Sequence, residues 1–410
     1  MRIDLDRERF EGTMAEQAAI GATDDGGLDR LALTDADREV RDWFVSKLEA
    51  AGLDVRIDAM GNTFGRREGV EEERPVLVGS HLDSQPKGGI YDGPLGVLAA
   101  LECLRTVEDR GIETTRPIEI VNWTNEEGSR FQPAMMGSGV WAGAENLEEV
   151  YATTDRENKS VEEELDRIGY LGETPAEPGR EYDAYLELHI EQGPLLERAE
   201  AQVGTVTGVV GLSWGELVFR GEPNHTGPTP MHLRGDALVA ASDTVGAIRR
   251  LPTALGERTV ATVGSLSVVP DSVNVIPGEA RMTWDVRDPE DSVVETARER
   301  VLAEARAAAE REGVSLSHED RLHVSSVAFA DRCIEAVAAA TEACGYDARR
   351  LPSGAGHDAT HLAGVCDTGM VFAVSEEGIS HSPAEYTSPE DCYAAANTLA
   401  NATLELAGSE

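Results

Sequence analysis

Lysine is nearly absent from this chain of 410 residues: only Lys47, Lys87 and Lys159 carry it. Acidic residues number 76 against 36 basic ones, a formal charge of −40, which excludes a protein that works by neutralising nucleic-acid phosphates. Cysteine is sparse too. The five, at 103, 333, 344, 366 and 392, are odd in number and scattered, with no CxxC pair, and the acidic N-terminal stretch carries no signal-peptide pattern. They read as reduced, mostly core thiols of a cytoplasmic protein. No apolar run approaches the ~18 residues a membrane-spanning helix needs. What is present is 41% hydrophobic content in periodic segments, which excludes a disordered acidic chain. An acidic coat with so little lysine suits a surface kept hydrated in concentrated salt, so a halophilic source is expected.

The length calls for two domains, or one with an insertion. A helix over Asp35 to Ala51, a strand over Asp54 to Asp58, "RPVLVGSHLD" and "DGPLGVLAALECLRTV" alternate as in a mainly parallel α/β sheet. "RPIEIVNWTNEEG" and "DAYLELHIEQG" are two more apolar runs with polar ends. The three run ends are expected to meet, because the carboxyl ends of parallel strands line the ligand crevice of such sheets. From about 208 the pattern becomes strand, helix, two turn-linked strands, a long Ala/Arg/Glu helix and a last strand near "SLSHED". This predicts a compact antiparallel α+β unit over 208–322, inserted into an α/β domain made of 1–207 and 323–410. The acidic stretch 145–181 reads as a surface helix with flanking loops. Ser388 and Pro389 open the last helix as N-cap and first helical residue.

The run ends hold His81, Asp83, Asp92, Glu126, Glu127 and His189, and His381 follows "GMVFAVS". Singly, each has a plain reading as a chance pair, a surface acid or a hydrogen-bonded histidine. Together they form a nitrogen and oxygen donor set without cysteine, suited to Zn, Mn, Co or Ni. Asp83, two residues past His81, is placed to brace the imidazole. Glu126 and Glu127, adjacent on an extended segment, are expected to point apart, one to a metal and the other to the cavity as a base.

"GSHLDSQPKGGIYDGPLGV", "NWTNEEGSRF", "ELHIEQGPLLE", "GEPNHTGPTPMHLRGDAL", "PDSVNVIPGEARMTWDVRDP", "SGAGHDATHLA" and "ISHSPAEYTSPED" follow one another along nearly the whole chain. Together they resemble the hydantoinase/carbamoylase family of amidohydrolases, relatives of the dinuclear zinc aminoacylases and aminopeptidases. The resemblance implies a zinc-exopeptidase-like catalytic domain with two divalent ions per subunit. Asp92 would bridge them, His81 and His189 would complete one site, and Glu127 and His381 the other. Glu126 would be the general base for the attacking water, a task two cations assist by lowering the pKa of bound water. The insert would be a lid that also mediates homodimerisation. There His225 would stabilise the oxyanion, while Asn274 and Arg287 grip the substrate carboxylate; Gln192 and Gly356 would complete the pocket. Read alone, Arg287 between Asp285 and Asp288 is an ordinary ion pair, and His225 near Gly227 a turn residue. His357 is expected to shape the pocket loop, and His232, His318, His323 and His361 have no assigned role.

Members of that family cleave a ureido group to amine, carbon dioxide and ammonia, or hydrolyse allantoate. The stretch Gly211-Leu212-Ser213-Trp214 is closer to the N-carbamoyl-L-amino-acid hydrolases than to the allantoate branch, with β-ureido acids as a further class of substrate. The competing expectations are a peptidase or deacylase of the same superfamily and a non-catalytic ureido-acid or metal-binding protein on the same fold.

Overall fold

Four of the apolar runs stand side by side in the computed structural model, which describes residues 2–409. Strands Ile118–Trp123, Val76–His81, Ala184–Ile190 and Asp367–Ala373 pair in parallel in that order. They are buried throughout, apart from Asp367. Helices cover both faces, so the strands read as continuous apolar runs and do not alternate. Beyond this centre the sheet turns antiparallel, through Thr63–Arg67 and Asp54–Ile57 on one side and Val203–Val209 on the other. Thr63–Arg67 lies outside the sequence reading because Gly65 and two arginines interrupt its apolar pattern; its pairing with Ile118–Trp123 makes it a strand.

Helix Pro94–Asp109 lies against the sheet with Leu95, Leu98, Leu101 and Leu104 in the large core, alongside Leu399 and Leu404 of helix Pro389–Ala407. The latter opens as read, with Ser388 Oγ accepting from Asp391 N–H at 3.1 Å. The stretch 145–181 differs from expectation. It forms two short helices, Leu147–Tyr151 and Val161–Ile168, whose Val150, Val161, Leu165 and Ile168 are buried with Met60, Phe131 and Tyr170 in a smaller core. Charge on one face hid an apolar stripe on the other. All five cysteines are free, four of them buried and Cys366 partly so.

The chain divides into two compact units, one up to Gly208 together with everything from Ala328, the other Val209–Val327. In the second unit, Leu266–Val269, Glu279–Asp288, Gly211–Arg220 and Ser315–Val324 form an antiparallel sheet, with Val260–Thr262 also on Glu279–Asp288. Ala280, Met282, Trp284 and Val286 alternate inward onto helices Ala237–Leu255 and Asp291–Glu312. Ser315–Val324 pairs through to Val324, which carries the unit past residue 322. Asn224–His225 and Val275–Ile276 make a separate two-stranded ribbon.

Candidate metal centre

The parallel register puts the carboxyl ends of the central strands on one edge, where His81 is level with Trp123 and His189 with Phe372. His81 Nδ1 is 3.0 Å from the main-chain carbonyl of Asp83, and His189 Nδ1 is 3.0 Å from that of Ile190. Each Nδ1–H donates to its carbonyl, so each Nε2 lone pair is turned to the site. Asp92 stands between them, with Oδ1 2.9 Å from His189 Nε2 and 3.6 Å from His81 Nε2, and Oδ2 3.4 Å from His381 Nε2. Glu127 Oε2 lies 3.6 Å from His381 Nε2. Ligand atoms of His81, Asp92 and His189 lie within 4.8 Å of one another, and so do those of Asp92, Glu127 and His381. The two groups share Asp92.

These residues fit a divalent cation. His81 Nε2 is fully buried with no hydrogen-bond partner, and the Nε2 of His189 faces a carboxylate oxygen at hydrogen-bonding distance while its other nitrogen is engaged. Two lone pairs so close require a proton or a metal ion between them. Burial pushes Asp92 up, but His189, with His381 and His81, when protonated in place of a bound cation, outweighs it and holds the carboxyl well below the usual range. Burial raises Glu126 well above the ordinary carboxylate value and Glu127 to about 7, with Asp358 adding to the first and Asp92 to the second. No lysine or arginine lines the cleft that holds these acids. Their charge calls for a cation from outside the chain, and the nitrogen and oxygen donors are those of a divalent metal site.

Two expectations need correction. Asp83 braces His81 through its carbonyl, not its carboxylate, whose Oδ1 is 3.8 Å from Nδ1. The carboxylate instead accepts the N–H groups of Glu126 at 3.2 Å and Glu127 at 3.3 Å, so it fixes the loop after Ile118–Trp123. That loop is also not extended: the strand stops at Trp123 and Asn125 has φ +55°. The bend turns both glutamates into one cleft of about 220 Å³. Glu126 Oε2 comes 3.5 Å from His81 Nε2, while Glu127 accepts from Gln85 and faces His381.

Gln192 and Gly356 line the same cleft, as does buried His357, whose ring centroid is 4.5 Å from that of His189. Gln192 Nε2 donates to Asp92 Oδ2 at 2.9 Å. In the second unit, exposed His225 pairs with Val275, and the carbonyl of Asn274 accepts from Thr226, so the ribbon brings His225 and Asn274 together. His225 Nδ1 accepts from Gly227 N–H at 3.1 Å, the turn contact read from sequence. Arg287 stands apart from them on the five-stranded sheet, its Nε and Nη2 each 3.0 Å from the Asp285 carboxylate.

Residues 77–405 match the model of the peptidase family M20/M25/M40. The chain belongs to this family. Within the M20 family it groups with the hydantoinase/carbamoylase amidases. It is 43% identical over 404 residues to an N-carbamoyl-L-amino-acid amidohydrolase of Rhizobium meliloti, covering 98% of this chain and 97% of the relative. Identity to the N-carbamoyl-L-amino acid amidohydrolase of Geobacillus stearothermophilus is 39%, over 98% of this chain and 99% of that one. The crystal structure of a hydantoinase/carbamoylase family amidase from Burkholderia multivorans superposes with a TM-score of 0.96 at 46% identity, over 99% and 98% of the two chains.

Three residues of this M20 site escape the sequence reading. Gln85 donates from its main chain and its amide to Glu127. Ser380 and Glu385 contact Asp92 from the loop around His381. Glu385 stands four residues past His381 inside a stretch already singled out, and its burial at 5% exposure is the feature that marks it.

Proposed function

We propose that this hydantoinase/carbamoylase-type amidohydrolase cleaves the carbamoyl C–N bond of N-carbamoyl-L-amino acids, giving the amino acid, carbon dioxide and ammonia. The observation that carries the reading is the sharing of Asp92 between two donor groups, with Glu126 buried beside them in a small cleft. His81, Asp92 and His189 would hold one divalent ion, and Asp92, Glu127 and His381 a second. Such ions supply Lewis-acid activation of water and of the ureido carbonyl. Glu126 accepts the proton of the attacking water and returns it to the leaving nitrogen as the C–N bond breaks. Asp83 keeps Glu126 on station through its main chain, and Met135 N–H fixes the Glu126 carbonyl at 2.8 Å. His225 would meet the developing oxyanion and Asn274 and Arg287 the substrate carboxylate, Arg287 exchanging Asp285 for it through the same planar fork. Homodimerisation through the inserted unit belongs to the same reading, and both rest on likeness to the family. The preference for carbamoyl amino acids rests on the named activity of the two amidohydrolase relatives.

The test is release of free amino acid from N-carbamoyl-L-amino acids, N-acetyl amino acids and dipeptides, and of ammonia from allantoate, with Mn or Zn in concentrated salt. Carbamoyl amino acids are expected to turn over fastest. Cleavage of dipeptides alone would overturn the assignment.

A further inference from the structure

Glu385 is 5% exposed, and every hydrogen bond of its carboxylate points back toward Asp92. Oε1 accepts from the main-chain N–H of Tyr91 at 3.2 Å and of Asp92 at 3.1 Å. Oε2 lies 2.9 Å from Ser380 Oγ, which is itself 3.1 Å from Asp92 Oδ2. One side chain thus grips Asp92 by its peptide N–H, and its Oε2 and Asp92 Oδ2 both border the Ser380 hydroxyl, whose single proton goes to one of them at a time. Gly89 makes room for this: a Cβ there would come within 1.9 Å of Glu385 Oε1. Gly89 has no positive φ, so glycine is required there by the close approach of Glu385.

The two halves of the site are supported unequally. His81 and His189 end central strands, are buried, and are each tied to a carbonyl. His381 sits on a loop with φ +55° and a side chain 50% exposed, and its recorded polar contacts are Asp92, Glu127 and Gln192. What joins that loop to Asp92 is Glu385 with Ser380.

We infer that Glu385 is a positioning residue that sets the bridging Asp92 against His381, so that it governs the Asp92–Glu127–His381 half of the site more than the His81–His189 half. This rests on the two-ion reading given above. The general effect of such outer supports is about 10–100-fold in metal affinity.

The test titrates Mn²⁺ or Zn²⁺ alone into the chelator-stripped full-length protein by calorimetry, with metal content checked after dialysis. The unaltered protein should take up two equivalents. Glu385→Ala should keep the first and bind the second about 10–100-fold more weakly. Glu385→Gln keeps an oxygen for the two N–H groups and an amide facing Ser380, and should restore second-site affinity; Ser380→Ala should fall between, which keeps the question answerable if Glu385→Ala fails to fold. Two tight equivalents in both Glu385→Ala and Ser380→Ala would overturn the positioning role while leaving the two-ion reading intact. Equal weakening of both sites in a folded Glu385→Ala would also overturn it. Fewer than two equivalents in the unaltered protein would overturn the two-ion reading and this inference with it.

Discussion

Glu126 and Glu127 are neighbours in sequence and opposites in chemistry, and the difference comes from what each oxygen meets. The Glu127 carboxylate accepts from the main-chain N–H and the side-chain amide of Gln85, one on each oxygen, and faces His381, so it is fixed as a ligand would be. Glu126 is anchored through its main chain; its carboxylate is buried, has His81 Nε2 3.5 Å away and lies outside both ligand groups. A carboxylate so placed can exchange a proton without releasing a metal. Glu126→Gln should therefore retain metal, measured as bound Mn²⁺ or Zn²⁺ after dialysis, and lose about 10²–10⁴-fold in kcat. Retained turnover would remove Glu126 as the base, and loss of metal would make it a ligand.

At the scale of elements, the site depends on where the first helix of the crevice begins. Gly93 caps helix Pro94–Asp109 with φ +83°, and a Cβ on it would sit 2.4 Å from His81 Cε1 and 2.5 Å from Nε2. Both backbone conformation and contact exclude a side chain, so Gly93→Ala should cost about 1–3 kcal/mol of stability. Because the clash is with a ligand ring, metal affinity should fall as well, and a chelator competition on the folded variant measures it separately from the melting temperature. Which elements could be read from sequence follows from the same logic. The central strands were legible because buried parallel strands are continuous apolar runs, and their polar ends at His81 and His189 were legible as interruptions. Thr63–Arg67 was not, since a strand with Gly65 and two arginines is specified by the neighbours it pairs with on either side. The bend at Asn125 was not, because a single left-handed residue reverses which way Glu126 and Glu127 face. Glu385 was not, because its hydrogen bonds span 293 and 294 residues of chain.

The whole molecule must hold a formal charge of −40 on two compact units. Runs such as Glu71-Glu72-Glu73, Glu148-Glu149 and Glu162-Glu163 are exposed, and the three lysines are too few to offset them. Ion pairs are numerous, and those exposed on both sides, as in Arg2–Asp4, Arg7–Glu390 and Arg258–Glu290, contribute only about 0–1 kcal/mol each. Salt screens these attractions and the repulsion between acids alike, so its net effect has the sign of the larger sum. With 76 acids against 36 bases the repulsion is larger, and it acts against the folded state, which holds the charges closer together than the unfolded chain does. Raising the salt shortens the screening length from about 10 Å at 0.1 M to about 3 Å at 1 M. The melting temperature of the metal-loaded protein should accordingly rise across that range of KCl and go on rising into molar salt, while the protein loses secondary structure on dialysis into dilute buffer. A melting temperature that is flat or falls with KCl would mean that the paired charges outweigh the unpaired ones, and the expectation of a salt-requiring surface would fail.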